Sequence, residues 1–466
     1  MSVLTVISPA TGNVLRELPA DDAASVTRKA EMARRSQRAW AARPLPERIA
    51  IITRFRNLLV ERKDHLSCTM TAETGKPINM SRNEVGGTPS RIDFFIENVA
   101  KFMATETRDL QPAGALVPGA GDMEEFVTHS PLGVVANISA WNYPYFVGTN
   151  VFIPALLTGS AVLYKPSEYA SLTGLAMAGL LHEAGVPDDV FIPLIGGGDV
   201  GATLLEQPVD AVFFTGSHQT GVKIAQATAA KLIPTQLELG GKDPAYVTDD
   251  VDPAVAGAAL ADGAFYNNGQ SCCAVERIYV HATVYDAFLE AFMKAVNGLE
   301  MGEPNNESTY LGPLTREAQI AELSAQVEDA VGKGATLRTG GKPADRPGWY
   351  FEPTVLTEVN HRMKVMRDET FGPVIGIQRV ANDDEAVDLM ADTQYGLTAA
   401  VYSRDRKRAS QVLAKVPSGT AYWNCCDRVS PRLPWSGVGN SGLGATLGHE
   451  GIRAFLRPRA WHLRAP

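Results

Sequence analysis

Short apolar runs alternate with longer amphipathic segments from residue 132 onward. The apolar runs are "LGVVANI", "AVLYK", "VFIPLI" and "AVFFTG". Segments of helical period, including "SLTGLAMAGLLHEAG" and "TGVKIAQATAAKL", stand between them. Because strands that are buried on both faces read as continuous apolar runs, this alternation predicts βαβ units around a parallel sheet.

The stretch before residue 132 has a helical period. It contains "DDAASVTRKAEMARRSQRAWAA" and "PERIAIITRFRNLLVERKDHLSCTMTAETGKP". In the second segment apolar residues recur near helical spacing at Ile49, Ile52, Phe55, Leu59 and Leu66. Gly75, followed by Lys76 and Pro77, predicts the end of this helix.

A second α/β block is predicted to begin near "PTQLELGGKDPAYV". Asp252 and Pro253 suit the N-cap and first position of a helix in this block. The strand-like runs "FEPTVL", "GPVIGIQRV" and "TAAVYS" follow, with helical segments between them. The whole pattern predicts two α/β domains with a cleft between them.

One polar stretch, "DMEEFVTHSPLGVV", interrupts the pattern after the Pro/Gly-rich "QPAGALVPGAGD". Its partly alternating polarity predicts a surface hairpin. An exposed arm of this kind offers free strand edges to another subunit.

Composition and charge exclude several classes of protein. The chain has 466 residues, 45% of them hydrophobic, and a formal net charge of −9 without a basic block, so nucleic acid is not an expected partner. No apolar run reaches the roughly 18 residues of a membrane span, and "MSVLTVISPATGNVL" lacks the basic and apolar regions of a signal peptide. We therefore expect a cytoplasmic protein without membrane partners.

The five cysteines are Cys68, Cys272, Cys273, Cys425 and Cys426. Their number is odd and neither adjacent pair has C-x-x-C spacing, which favours free thiols in a reducing compartment. The eight histidines show no ligand spacing, so no metal site is expected.

The adjacent cysteines of "NNGQSCCAVER" are candidate nucleophiles. The preceding helix is expected to end near Gly269, which places both thiols by the negative end of its dipole and disfavours a thiolate. An external base or a bound cofactor would then have to compensate. Free cysteines are also common core residues, so burial is the alternative. In an extended segment only one of Cys272 and Cys273 can face a reacting carbon.

Two further stretches carry groups suited to acyl chemistry. Glu238 in "LELGGK" is a candidate general base if a cleft desolvates it, and otherwise a charge at a strand end. Asn142 in "SAWNYP" follows the strand-like "VVANI", where its amide could stabilise an oxyanion. A simple turn before Pro144 is the alternative.

Three stretches could hold a nucleotide. Lys165 and Glu168 of "YKPSE" suit a ribose, and "FFTGSHQTG" opens a helix whose amides could receive a phosphate. This is not the G-x-G-x-x-G fingerprint. Glu369 of "DETFGP" is a cap, a solvated charge or a contact to a second ribose.

Together, "SAWNYP", "KPSE", "FTGS", "LELGGK", "GQSCCA", "ETFGP" and "LPWSGVGNSG" resemble the NAD(P)-dependent aldehyde dehydrogenase superfamily in content, order and spacing. The resemblance runs from "ISPATGNVL" to "HEGIRAFL". It implies an α/β fold with two parallel-sheet domains, Rossmann-like and catalytic, and a small β oligomerisation arm. The implied bounds are 1–117 and 132–237 for the dinucleotide-binding domain, 238–449 for the thiol domain, and 118–131 with 450–466 for the arm. It also implies at least a homodimer, or a homotetramer.

The resemblance implies a role for individual residues. Cys272 would be the nucleophile, Glu238 the general base, and Asn142 the oxyanion donor together with the backbone N–H of Cys272. The implied cofactor contacts are Trp141, Lys165, Ser167, Glu168, Gly216, Ser217, Leu239, Gly240, Glu369 and Phe371. The implied substrate pocket consists of Tyr143, Val147, Asn150, Ser271, Cys273, Arg428, Val429 and Trp435.

By resemblance, the enzyme would oxidise an aldehyde to a carboxylic acid through a thiohemiacetal and a thioester on Cys272, which a Glu238-activated water hydrolyses. Glu168 favours NAD over NADP, because a carboxylate repels a 2′-phosphate, and NADP stays open. An aliphatic or aromatic aldehyde is the expected substrate. If Arg428 binds a distal carboxylate, the substrate is a semialdehyde such as succinate semialdehyde. A CoA-acylating dehydrogenase and a non-catalytic scaffold are the remaining alternatives.

Overall fold

The computed structural model describes residues 2–107 and 123–464. Residue 1, residues 118–122 and 465–466 of the predicted arm, and residues 108–117 of the predicted first domain lie outside these ranges. Within them the chain forms two large sheets with helices on their faces and one small sheet.

A hairpin and four helices precede the first large sheet. Their bounds are β1 (Val3–Ile7), β2 (Val14–Pro19), α1 (Ala23–Ala42), α2 (Leu45–Glu61), α3 (Lys63–Thr74) and α4 (Ile78–Met103). The hairpin was not predicted, and the single helix expected over α2 and α3 breaks at Arg62. As predicted, α3 ends at Gly75, whose φ of 76° suits glycine.

The first large sheet has six strands in the order β17-β9-β8-β5-β6-β7. The strands are β5 (Val134–Ile138), β6 (Ala161–Lys165), β7 (Phe191–Pro193), β8 (Ala211–Thr215), β9 (Thr235–Glu238) and β17 (Gly442–Leu443), and the helices between them are α5 (Pro144–Thr158), α6 (Ser171–Ala184), α7 (Gly198–Glu206) and α8 (His218–Ala229). All pairs are parallel except β17 with β9. The strand order reverses direction between β5 and β8, where open α/β sheets bind ligands at their carboxyl ends.

The second large sheet has seven strands in the order β12-β13-β14-β11-β10-β15-β16. Its strands are β10 (Pro244–Val247), β11 (Arg277–His281), β12 (Thr336–Thr339), β13 (Thr354–Thr357), β14 (Val374–Val380), β15 (Thr398–Tyr402) and β16 (Thr420–Trp423), and its helices are α9 (Pro253–Phe265), α10 (Tyr285–Asn297), α11 (Ala318–Gly332), α12 (Asp383–Ala391) and α13 (Arg406–Leu413). Only β12 is antiparallel to its neighbour. Successive residues of β10 pack into separate cores on the two faces, with Tyr246 on one side and Ala245 and Val247 on the other. As predicted, the Asp252 side chain caps α9 by accepting from the Ala254 N–H.

The small sheet has the order β18-β4-β3. It contains β3 (Glu106–Thr107), β4 (Met123–Pro131) and β18 (Leu456–Arg464), and α14 (Gly448–Arg453) leads into β18. β4 pairs along its whole length with β18, from Leu456 opposite Pro131 to Arg464 opposite Met123. The prediction of a surface hairpin is corrected, because the main partner of β4 comes from the other end of the chain, which a local pattern cannot reveal.

These sheets confirm the predicted α/β fold class with two sheet domains. The chain passes from the six-stranded to the seven-stranded sheet between Glu238 and Pro244, and it returns to the first sheet at Gly442. The predicted domain bounds remain a prediction.

Candidate active site

Two cavities meet at Cys272 and Glu238, the two residues that line both of them. The first has a volume of about 470 Å³. The second has about 400 Å³ and lies at the carboxyl ends of β5, β8 and β9. A thiol and a carboxylate therefore stand where a ligand in one cavity can reach a ligand in the other.

The loop before Cys272 has an unusual backbone. α9 ends at Phe265, earlier than the expected end near Gly269, and Asn267, Asn268 and Gly269 follow with φ of 52°, 57° and 67°. Asn and Gly are the residues that tolerate this left-handed region. A Cβ on Gly269 would lie 2.4 Å from the carbonyl oxygen of Gly372, so the loop packs too closely for any other residue.

Asparagine and glutamine side chains hold this loop in place. Asn268 Nδ2 donates to the carbonyl oxygen of Gly312 at 2.6 Å. The backbone N–H of Thr315 donates to Gln270 Oε1 at 2.9 Å. Asn267 Nδ2 donates to the carbonyl oxygens of Gln270 and Asn142. The "NNGQ" stretch thus fixes the position of the cysteines that follow it.

The two cysteines lie in a turn, closed by the Ala274 N–H donating to the carbonyl oxygen of Ser271 at 3.2 Å. The expectation of an extended segment with opposed side chains is therefore wrong, since both thiols line the first cavity. What separates them is their environment. Cys273 is buried, and its thiol donates to Asp427 Oδ1 at 3.0 Å. Its hydrogen bond with Cys272, its burial and the charge of Asp427 raise the pKa of the Cys273 thiol well above its usual range, which disfavours a thiolate there.

Glu238 is the last residue of β9. Its Oε1 accepts from the Thr446 hydroxyl and its Oε2 accepts from the Thr215 hydroxyl at 3.5 Å. Burial raises the pKa of Glu238 to about 7, against the hydrogen bond from Thr446 and the positive charge of Arg91. A carboxylate with this pKa accepts a proton near neutral pH, as a general base requires.

Asn142 lies between the end of β5 and the start of α5, and it is buried in the wall of the second cavity. Within residues 2–107 and 123–464, Asn142 Oδ1 is buried without a hydrogen-bond partner, and neither Asn142 Nδ2 nor the backbone N–H of Cys272 donates a hydrogen bond. Both groups are therefore free to donate to an oxygen of a ligand. Glu84 positions this region, because its Oε1 accepts from the backbone N–H of Tyr145 at 2.8 Å in the first turn of α5.

The second cavity brings together seven of the ten predicted cofactor contacts: Trp141, Gly216, Ser217, Leu239, Gly240, Glu369 and Phe371. Lys165, Ser167 and Glu168 do not line it and lie at the end of β6. There Lys165 Nζ is 3.9 Å from Glu168 Oε2, and the Ser167 hydroxyl donates to the same oxygen at 3.4 Å.

Glu369 lies against the double glycine that follows Glu238. A Cβ on Gly240 would lie 2.2 Å from the Glu369 carboxylate oxygens, and the Gly241 N–H donates to Oε1 at 3.2 Å. Burial and the negative charge of Glu276 raise the pKa of Glu369 to about 8. This carboxyl group lines the second cavity, where it can accept a hydrogen bond from a hydroxyl. Together with the turn at Gly216 and Ser217, it fits a nicotinamide dinucleotide.

All eight predicted substrate residues line the first cavity. The sequence did not identify another group of lining residues, which includes Glu84, Arg91, Phe146, Asp262, Tyr266 and Asp427. The sequence does carry a signal for two of these residues, Glu84 and Arg91. Glu84, Thr88 and Arg91 recur at helical spacing on the buried face of α4, where polar residues are unexpected.

A comparison with protein families agrees with this arrangement. The sequence model described as "Aldehyde dehydrogenase family" matches residues 2–461. The chain belongs to this family. It is thus an NAD(P)-dependent aldehyde dehydrogenase, and the two cavities at Cys272 are its candidate substrate and cofactor sites.

Several relatives of this aldehyde dehydrogenase have named substrates. It is 35% identical over 454 residues to succinate-semialdehyde dehydrogenase [NADP(+)] of Deinococcus radiodurans, covering 97% of this chain and 93% of the relative. It is 34% identical to the peroxisomal aminoaldehyde dehydrogenase 2 of Pisum sativum, covering 97% and 91%. The crystal structure of succinate-semialdehyde dehydrogenase from Burkholderia pseudomallei superimposes with a TM-score of 0.95 at 34% identity, covering 100% of this chain and 95% of that one.

The described residues give two further findings. In residues 2–107 and 123–464, no helix has the length and apolar character needed to cross a membrane. The same ranges contain no group of three or more His, Cys, Asp or Glu side chains placed to hold a metal ion.

Proposed function

We propose that this aldehyde dehydrogenase oxidises an aldehyde to the carboxylic acid, with Cys272 as nucleophile and Glu238 as general base. The observation that carries the proposal is that these two side chains line both cavities. An aldehyde in the first cavity then lies between the thiol and the cofactor cavity. The raised pKa of Cys273 argues against the neighbouring thiol as nucleophile.

The residues act in a definite order in this proposal. The Cys272 thiolate adds to the aldehyde carbon, and the oxyanion receives hydrogen bonds from Asn142 and the backbone N–H of Cys272. NAD or NADP, when bound, would supply the acceptor for the hydride that leaves the former aldehyde carbon, so that a thioester to Cys272 remains. Glu238 takes a proton from water, which attacks the thioester carbonyl and releases the acid from Cys272. Trp141, Gly216, Ser217, Leu239, Gly240, Glu369 and Phe371 would hold the cofactor.

The first cavity suits an aliphatic or aromatic tail, since Tyr143, Phe146, Val147, Val429 and Trp435 all line it. The experiment is a panel of aldehydes, including succinate semialdehyde and benzaldehyde, assayed with NAD and NADP by the absorbance of the reduced cofactor. The proposal requires turnover without CoA and a free carboxylic acid as product. An enzyme that turns over only with CoA, giving an acyl-CoA, would contradict it, as would one that binds NAD without reducing it.

We also propose that NAD is the preferred cofactor. The carboxylate of Glu168 lies beside Lys165 at the end of β6, and it would accept from a ribose 2′-hydroxyl and repel a 2′-phosphate. Glu168→Gln removes this charge and should raise kcat/KM for NADP relative to NAD by about tenfold. The measurement is kcat/KM for both cofactors. Glu206→Gln, at an exposed carboxylate of α7 that lines neither cavity, is the matched control. An unchanged ratio in Glu168→Gln would remove this residue from cofactor selection.

The rate of thioester hydrolysis should rise with pH through about pH 7. The pKa of Glu238 is raised to about 7, and only its ionised form accepts a proton from water, so about one tenth of it is active one pH unit below that value. Rapid-quench measurement of acyl-enzyme decay between about pH 5.5 and 8.5 tests this. A decay rate that is flat across this range, or that falls as pH rises, would rule out Glu238 as the base.

We further propose a homo-oligomer, dimer or tetramer, that forms through β4 and β18. Each of these strands runs for 9 residues, and β18 is an edge strand of the small sheet that can accept a strand of another subunit. Light scattering of the purified protein measures its mass.

The free state of all five cysteines supports a reducing compartment, the cytoplasm.

A further inference from the structure

Arg91 is a buried cation in the wall of the first cavity. It lies on the inner face of α4, in line with Glu84 and Thr88, and only 7% of its surface is exposed. Arginine is almost never buried to this degree unless it is paired. Its burial therefore predicts an anionic partner for Arg91.

The direct contacts of Arg91 orient the guanidinium but include no carboxylate. Its Nη1 donates to Asn150 Oδ1 at 3.1 Å, and its Cζ lies 3.8 Å from the centre of the Phe146 ring. Among residues 2–107 and 123–464, no carboxylate forms an ion pair with it. Lys76 shows the contrast, since this buried cation of the same region has Glu84 as its partner.

The charge of Arg91 persists at neutral pH. Burial lowers the pKa of Arg91 to about 10, while the negative charges of Glu84 and Glu238 oppose the decrease. A protonated guanidinium with several unused N–H donors therefore faces the cavity that holds Cys272. An unpaired buried charge is costly, and an anion that enters the cavity would remove that cost.

We propose that Arg91 binds a carboxylate at the end of the substrate opposite the aldehyde, so that the preferred substrates are short semialdehydes. The planar guanidinium matches a carboxylate with two parallel hydrogen bonds. Phe146 and Asn150 hold it in one orientation, which favours a single position of the anion. This inference rests on the proposed function, because it needs the aldehyde end to lie at Cys272.

Arg428 is the other arginine of this cavity, and the sequence alone made it the candidate for this role. In the structure Arg428 is exposed, and a solvated cation contributes little to an ion pair. Because Arg91 is buried and held in one orientation, we infer that Arg91 of α4, and not Arg428, contacts the substrate carboxylate.

The test compares matched substrates in the intact enzyme. kcat and KM are measured for succinate semialdehyde against butanal and for glutarate semialdehyde against pentanal. The variants are Arg91→Gln, Arg428→Gln and Arg82→Gln. Arg82 is a matched control on the same helix, since it pairs with Asp64 and Glu307 and lines neither cavity.

The wild-type enzyme should favour the semialdehyde of at least one pair by about tenfold or more in kcat/KM. Arg91→Gln should raise KM for that semialdehyde by about 10- to 100-fold, while the KM values of butanal and pentanal change by less than about threefold. Arg82→Gln should behave as wild type. Turnover of the neutral aldehydes reports whether Arg91→Gln is folded.

Three results would overturn the inference. The first is a higher wild-type kcat/KM for butanal and pentanal than for the matching semialdehydes. This result would contradict the inference even if Arg91→Gln does not fold. The second is an equal fall in kcat with all four substrates and no selective rise in KM for the semialdehydes, which would make Arg91 a positioning charge for Cys272 and Glu238. The third is a loss of the preference in Arg428→Gln alone. An enzyme that oxidises none of the four would instead refute the proposed function.

Discussion

Cys272→Ser should abolish aldehyde-dependent reduction of NAD or NADP, with a fall in kcat of at least about a thousandfold. A serine hydroxyl is a much weaker nucleophile than a cysteine thiol because it ionises far less readily, and the oxyanion donors alone cannot replace the nucleophile. Cys273→Ser should keep kcat within about threefold, because the Cys273 thiol is protonated and donates to Asp427, as a serine hydroxyl can. The measurement is steady-state kinetics with one good aldehyde.

The paired variants are each other's control, because both change one sulfur to oxygen in adjacent residues of the same turn. Cofactor binding, followed by quenching of protein fluorescence, should be retained in both variants, which reports that the second cavity is intact. Comparable losses of activity in Cys272→Ser and Cys273→Ser would refute the assignment of their roles. A larger loss in Cys273→Ser would reverse it.

Glu238→Gln should separate the two halves of the reaction. Reduction of the cofactor should occur once per active site as a burst, and steady turnover should then fall by about 10²- to 10⁴-fold, because the amide cannot take a proton from water. Stopped-flow absorbance of the reduced cofactor measures both phases. Gln retains the shape of Glu, so the hydroxyls of Thr446 and Thr215 keep a neighbour of the same size.

Asp243→Asn is a useful comparison for this variant. Asp243 is another buried carboxylate with a raised pKa, held by Thr398, and it lines neither cavity. Any loss of activity in Asp243→Asn should accompany a loss of stability and should leave no burst followed by slow turnover. If Glu238→Gln keeps wild-type turnover, Glu238 is not the base for hydrolysis. If the variant loses the burst together with the steady rate, Glu238 also acts before hydrolysis.

The elements around the site were predictable because each motif is local. "VVANI", "AVFFT" and "TQLE" are continuous apolar or mixed runs that form β5, β8 and β9, and Asn142, Gly216 and Glu238 stand at or just after their ends. The carboxyl ends of parallel strands meet at one edge of a sheet, so residues distant in sequence converge there. The resemblance to a family could therefore assign a role to each of them.

Other features depend on contacts between distant segments. The sequence near β4 does not indicate that its partner strand is β18. The turn that directs both thiols into one cavity depends on Asn268 and Gln270, which form hydrogen bonds with a loop some 45 residues away. Arg91 is a third case, because its position on the inner face of α4 becomes visible only when α5 packs against that face. A polar residue at a buried helical position was the available signal.

We propose that the acyl group is carried by Cys272 and released by Glu238. Peptide mass spectrometry of Glu238→Gln, quenched in acid after one turnover with NAD and an aldehyde, tests this directly. We expect one acyl adduct per active site on Cys272, and no adduct in the double variant Cys272→Ser/Glu238→Gln. An adduct on Cys273 or Cys426, or no adduct although the cofactor has been reduced, would contradict it.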